Sequence, residues 1–154
     1  MIGIAGESGC GKTTFLKIIS KQIHLDSMVN DAVSMFYGNQ DALLKKDLTI
    51  AQQFELIESI YNREHDQNTI DVLFNNLNIK ANLSQKYDSC SLGEKKRIMI
   101  ALSVYSNSPC IILDEPLSSV DYEDKHSIMK LLKEYSHDRV IILTIHDKEF
   151  DDYL

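Results

Sequence analysis

A parallel α/β sheet flanked by helices, carrying a mostly helical insert, is the fold class that the sequence predicts. Three observations lead to it. Short apolar runs at Ile2–Ala5, Cys110–Leu113 and Val140–Ile145 have the length and composition of buried strands. Amphipathic helical patterns separate them, and strands alternating with helices give a parallel sheet with right-handed crossovers. A glycine-rich loop, Gly6-Glu7-Ser8-Gly9-Cys10-Gly11-Lys12-Thr13, joins the first strand to the first helix.

The elements follow in order. Ile2 to Ala5 is a short buried strand, and a helix runs from about Lys12 to His24. A weaker strand near Ala32 to Tyr37 leads to Gly38-Asn39-Gln40. Ile50, Phe54, Ile57 and Tyr61 then fall on one helical face, and Ile70, Leu73, Phe74 and Leu77 on another. The next helix starts at Ser91 and is apolar on several sides (Ile98, Met99, Ala101, Leu102, Val104, Tyr105), so it is expected deep in the molecule. Cys110 to Leu113 reads as a central strand. Asp121 to Ser136 is an amphipathic helix with Ile128, Leu131, Leu132 and Tyr135 inward, and Val140 to Ile145 is the closing strand. The expected division is one domain over 1–154, with a core of about 1–48 and 107–154 and a helical insert of about 49–106.

With 154 residues, 44% of them hydrophobic, the chain can bury one core. Its net charge of −7 argues against a broad grip on nucleic acid, so none is expected as a partner. Cys10, Cys90 and Cys110 are odd in number and form no CxxC pair, which suggests neither a zinc site nor a disulfide framework. A reduced, cytoplasmic setting fits them. No apolar run is long enough to span a bilayer.

The loop satisfies GxxxxGK[ST] in full. Its glycines let backbone N–H groups turn toward phosphate oxygens, and the helix start behind adds a positive dipole end. Gly6, Glu7, Ser8, Gly9, Cys10, Gly11, Lys12, Thr13 and Thr14 are therefore the candidate phosphate-binding residues. Lys12 can reach the β- and γ-phosphates, and the Thr13 hydroxyl can hold Mg²⁺. The loop makes the sheet that of a P-loop NTPase. It does not by itself separate a transport ATPase from a kinase or a GTPase, although no NKxD motif reads guanine.

Cys110-Ile111-Ile112-Leu113-Asp114-Glu115-Pro116 supplies a second half-site. A strand delivers Asp114 to its carboxyl end, beside the glycine loop in such sheets. Asp114 is a candidate Mg²⁺ ligand, and Glu115 a candidate to orient or deprotonate an attacking water.

Taken together the motifs resemble the nucleotide-binding domain of ATP-binding cassette (ABC) proteins, in the family's order and over nearly the whole chain. Gly6 to Thr13 resembles Walker A, and Gln40 the Q-loop. Ser91-Leu92-Gly93-Glu94 with Arg97 resembles the signature, and Ile111 to Glu115 Walker B with its catalytic glutamate. Ser119-Val120-Asp121 resembles the D-loop, and His146 in LTIHD the switch histidine. The resemblance implies ATP as substrate and Mg²⁺ as cofactor, with Glu115, His146 and Gln40 catalytic and Thr13, Gln40 and Asp114 at the metal. It also implies that Ser91, Gly93 and Asp121 meet a nucleotide held by a second ATP-binding subunit, in a homo- or heterodimer. An integral-membrane permease subunit is the other implied partner, holding the chain peripherally at the inner face of the cell membrane.

The sequence departs from the family at two places. Leu92 stands where the first signature glycine is usual, and Ser-Leu-Gly followed by Lys95-Lys96-Arg97 resembles exporters of the bacitracin and lantibiotic type. Drug or peptide export is the expectation that follows. Only Met1 to Ala5 precede the loop, where the family places an antiparallel β-subdomain with an adenine-stacking aromatic. The chain is expected to be a short form with little base preference, since a lost base stack costs about 1–3 kcal/mol. Tyr37 and Tyr122 are aromatics without motif support. A soluble ABC ATPase outside transport and a non-catalytic nucleotide-binding module are the alternatives.

Overall fold

The structure is a computed structural model describing residues 1–22, 34–38, 44–145 and 152–153. Four strands form one parallel sheet: β1 (Ile2–Ile4), β2 (Met35–Gly38), β3 (Cys110–Leu113) and β4 (Val140–Thr144). Their spatial order is β1-β4-β3-β2, so the last strand of the chain inserts between the first and the third. In register, Ile4 pairs with Thr144 and Leu113 with Leu143, and Gly38 pairs with Leu113. The carboxyl ends of all four strands therefore meet along one edge, where ligands sit in open parallel sheets.

Alternate residues of the strands face opposite layers. Tyr37 and Ile112 pack with Leu16 of α1 (Lys12–Ile19) on one face. Phe36, Ile111, Leu113, Ile141 and Leu143 lie on the other, in a larger core shared with the remaining helices. Those are α2 (Ile50–Tyr61), α3 (Gln67–Asn76), α4 (Leu92–Tyr105) and α5 (Tyr122–Tyr135). Helix α4 packs on α2, α3, β2 and α5. From Ile98 to Tyr105 every one of its residues is buried, as its all-round apolar pattern predicts.

Local chemistry sets the helix ends. Thr49 and Ser91 each close a capping box, with Gln52 and Glu94 as the returning side chains. Asp66 caps α3 by accepting from Thr69 N, and the left-handed Asn62 ends α2. Helix α1 ends at Ile19, short of the predicted His24, because Ser20 and Lys21 turn the chain there, Lys21 in the left-handed region. Strand β2 begins at Met35 and includes Gly38, one residue beyond the predicted end. A Cβ on Gly38 would lie 2.7 Å from Leu113 Cδ2, so the close pairing with β3 requires glycine. His65 meets Glu58 Oε1 at 2.8 Å, and His126 meets the Tyr153 hydroxyl at 3.2 Å.

Candidate nucleotide site

Strand β1 ends at Ile4 and releases the glycine loop directly into α1. Gly9 and Gly11 adopt φ of +81° and +97°, conformations that side-chain-bearing residues rarely take, and no side chain caps the helix at Gly11. The N–H groups at the start of α1 lack intrahelical acceptors, and the helix dipole adds partial positive charge there. Lys12 lies back across the loop, its Nζ donating to Gly6 O at 2.7 Å and Glu7 O at 2.9 Å. A cavity of ≈ 210 Å³ is lined by Ser8, Gly9, Gly11, Lys12, Thr13, Thr14 and Glu115. The loop and the end of β3 thus border one space, as the separate motifs predict.

Asp114 and Glu115 leave β3 in unlike surroundings. Asp114 is buried, and its Oδ1 accepts from the Thr144 hydroxyl at 3.1 Å. Glu115 is exposed and takes φ of +49°, a left-handed conformation costing a non-glycine residue about 1–3 kcal/mol. Hydrogen bonds hold that backbone. Glu115 N donates to Thr144 Oγ1 at 2.6 Å, Lys96 Nζ donates to Glu115 O at 2.9 Å, and Ser118 Oγ donates to the same oxygen at 2.9 Å. Lys96 is itself buried. Burial pushes its ammonium below lysine's ordinary value, and the Glu115 and Asp114 carboxylates push it back up.

Thr144 and Lys96 are site residues that sequence reading missed. Thr144 lies inside the LTIHD stretch, in which the resemblance marks only His146. Lys96 carried a signal of its own: it stands four residues before Ile100 and seven before Ser103, both fully buried, and so on an inward face of α4.

A second, more open cavity of ≈ 440 Å³ is lined by Thr13, Leu92, Lys96, Asp114, Glu115, Ser118 and Ser119. The signature residue Leu92 borders it, half exposed. Ser91 and Gly93 line neither cavity, nor does Asp121. Ser91 is exposed, and its hydroxyl accepts from Glu94 N at 3.2 Å. A Cβ on Gly93 would meet Ser119 O at 3.2 Å, so the signature helix and the turn after Walker B lie close together. Asp121 is exposed at the start of α5 without a side-chain capping bond. Gln40 and His146 lie outside the described residues. Tyr37 is buried beneath α1, which keeps its ring from a nucleotide base; Tyr122 is exposed.

The oxygen donors fit Mg²⁺. Among the described residues no cluster of three or more His, Cys, Asp or Glu could hold a metal alone. One hydroxyl (Thr13) and one carboxylate (Asp114) beside a phosphate-sized cavity suit a hard ion that takes its remaining ligands from phosphate and water. No helix among the described residues is long and apolar enough to cross a membrane.

Residues 1–118 match the family described as ABC transporter. Among curated relatives, the phosphonates import ATP-binding protein PhnC of Fusobacterium nucleatum is 28% identical, over 97% of this chain and 72% of its own length. The cytochrome c biogenesis ATP-binding export protein CcmA of Reclinomonas americana is 31% identical, over 93% of this chain and 71% of its own. Among solved structures, an ABC transporter ATP-binding protein from Pyrococcus furiosus superposes with a TM-score of 0.81 at 20% identity, covering 96% of this chain and 78% of that one.

Proposed function

The chain belongs to the ABC transporter family, and on that premise we propose that it is the ATP-binding and ATP-hydrolysing subunit of a transporter. One observation carries the hydrolytic part: Glu115, at the end of β3, borders the same cavity as the phosphate loop. Two copies would close over ATP, each offering Ser91, Gly93 and Asp121 to nucleotide held on the loop of the other. Within each site, Lys12 exchanges the Gly6 and Glu7 carbonyls for phosphate oxygens, and the N–H groups entering α1 donate to the same phosphates. Glu115 orients a water for attack on the γ-phosphorus and accepts its proton as the bond from phosphorus to the departing ADP oxygen breaks, and by the family resemblance Gln40 and His146 would contact that water. Thr13 and Asp114, with Gln40 in the resemblance, would hold Mg²⁺, which would neutralise charge on the phosphates.

The helices between β2 and β3 would pass the closure to a membrane permease, holding the subunit at the inner face of the membrane. The relatives include both importers and an exporter, so cargo is read from the signature variant, which points to drug or peptide export. Identification of the membrane protein that co-purifies with the chain tests that part.

The catalytic part is tested on the purified chain with Mg·ATP. Lys12→Ala should weaken ATP binding by about tenfold or more, since a lost charge-assisted hydrogen bond is worth about 1.5–3 kcal/mol. Glu115→Gln should bind ATP as the parent does and lose hydrolysis. Equal ATP affinity in Lys12→Ala, or parental turnover in Glu115→Gln, would remove the basis of this reading.

A further inference from the structure

Lys96 is an unusual choice for its place. It is 4% exposed, and a buried ammonium is costly unless its surroundings compensate it. Its Nζ donates to the backbone carbonyl of Glu115 across 19 residues of sequence. It also borders the cavity lined by Thr13, Asp114 and Glu115. Two carboxylates therefore lie near the ammonium while its hydrogen bond goes to the main chain.

We propose that Lys96 is a positioning residue for Glu115, carrying the placement of helix α4 onto the backbone of the carboxylate that orients the attacking water. The inference rests on the reading of Glu115 given above. A left-handed glutamate keeps its conformation only where neighbours hold it. Bonds from Thr144, Ser118 and Lys96 are among those that do so, and their origins differ. Thr144 belongs to β4 in the sheet, Ser118 to the same turn as Glu115, and Lys96 to α4. Helix α4 is capped by Ser91, the residue proposed above to meet the partner's nucleotide. A displacement of α4 along or about its axis moves Lys96 and, through one bond, the Glu115 carbonyl. Engagement of the helix start and alignment of the carboxylate are then one mechanical event.

The test uses the full chain and two substitutions. Lys96→Met keeps the length of the side chain and removes donor and charge; Lys96→Gln keeps a donor and removes charge. In Lys96→Met, kcat should fall by about tenfold or more while KM for ATP stays within about twofold. Amide hydrogen exchange over residues 115–119 should rise about tenfold or more without nucleotide, with residues 6–14 unchanged. Lys96→Gln should recover most of the exchange protection, and ATP calorimetry on each variant reports an intact fold. In a Glu115→Gln background, Lys96→Met should add no further loss to the residual single-turnover rate, because it acts through the missing carboxylate. Parental kcat in Lys96→Met, parental exchange over 115–119, or a full further loss in the double variant overturns the proposal while leaving Glu115 catalytic. Parental turnover in Glu115→Gln overturns the catalytic reading and this inference with it.

Discussion

Thr144 Oγ1 stands between two groups, accepting from Glu115 N and donating to Asp114 Oδ1. The hydroxyl has little freedom, because the residue is 2% exposed and its register is set by pairing with Ile4 on β1. Thr144→Val preserves the shape and strands both partners. It should destabilise the fold by about 1–3 kcal/mol in urea titration, the cost of an unsatisfied buried polar group, and Thr144→Ser should recover most of it. An unchanged midpoint in Thr144→Val would mean that Asp114 and Glu115 N find other partners. At this scale the glycine loop was legible because its chemistry is local: turn, phosphate donors and lysine all lie within one short segment. The Thr144 and Lys96 contacts were not, since each joins residues far apart in sequence, and a polar residue in an apolar run announces burial without naming its partner.

Helices and strands were legible where one periodicity dominates. The stripes Ile50, Phe54, Ile57 and Ile70, Leu73 became the inward faces of α2 and α3, and the all-round pattern of α4 became a buried helix. Boundaries were legible less well: α1 ends at Ile19, ahead of Ser20 and Lys21, where a left-handed turn overrides the helical pattern. Helix α4 carries more buried residues than any other helix among the described residues. Leu102 is fully buried in the core that α4 shares with the other helices and the sheet. Leu102→Ala should cost about 2–5 kcal/mol through lost burial and the cavity left behind. A midpoint shift in denaturant equivalent to less than about 1 kcal/mol would show that neighbouring helices collapse into the space.

Among the described residues the molecule brings its two half-sites together only in part, through Leu92 and Ser119 at the second cavity. Walker A and Walker B border common cavities, whereas Ser91, Gly93 and Asp121 line neither of them. A second copy is the economical way to complete such a site. Hydrolysis should then rise more steeply than linearly with protein concentration in the absence of a permease. Glu115→Gln should hold ATP in a dimer visible by size exclusion, and Ser91→Arg should abolish that dimer while sparing ATP binding to the monomer. Turnover strictly proportional to protein over about a hundredfold dilution, with no ATP-dependent dimer, would count against the composite site.

The sequence by itself determined the class of sheet, most of its elements, the phosphate loop and the acidic pair after β3. Periodicity, capping chemistry and short-range motifs act over one or two turns of chain, and they can be read there. Tertiary structure alone decided that β4 lies between β1 and β3. An apolar run says that a strand is buried but not which strands flank it, because any of its neighbours would satisfy the same hydrogen bonds and the same burial. That strand order brings Thr144 beside Asp114, and the packing of α4 on the sheet brings Lys96 beside Glu115. The hold on the candidate catalytic glutamate is thus a property of the assembled layers, which no single segment contains.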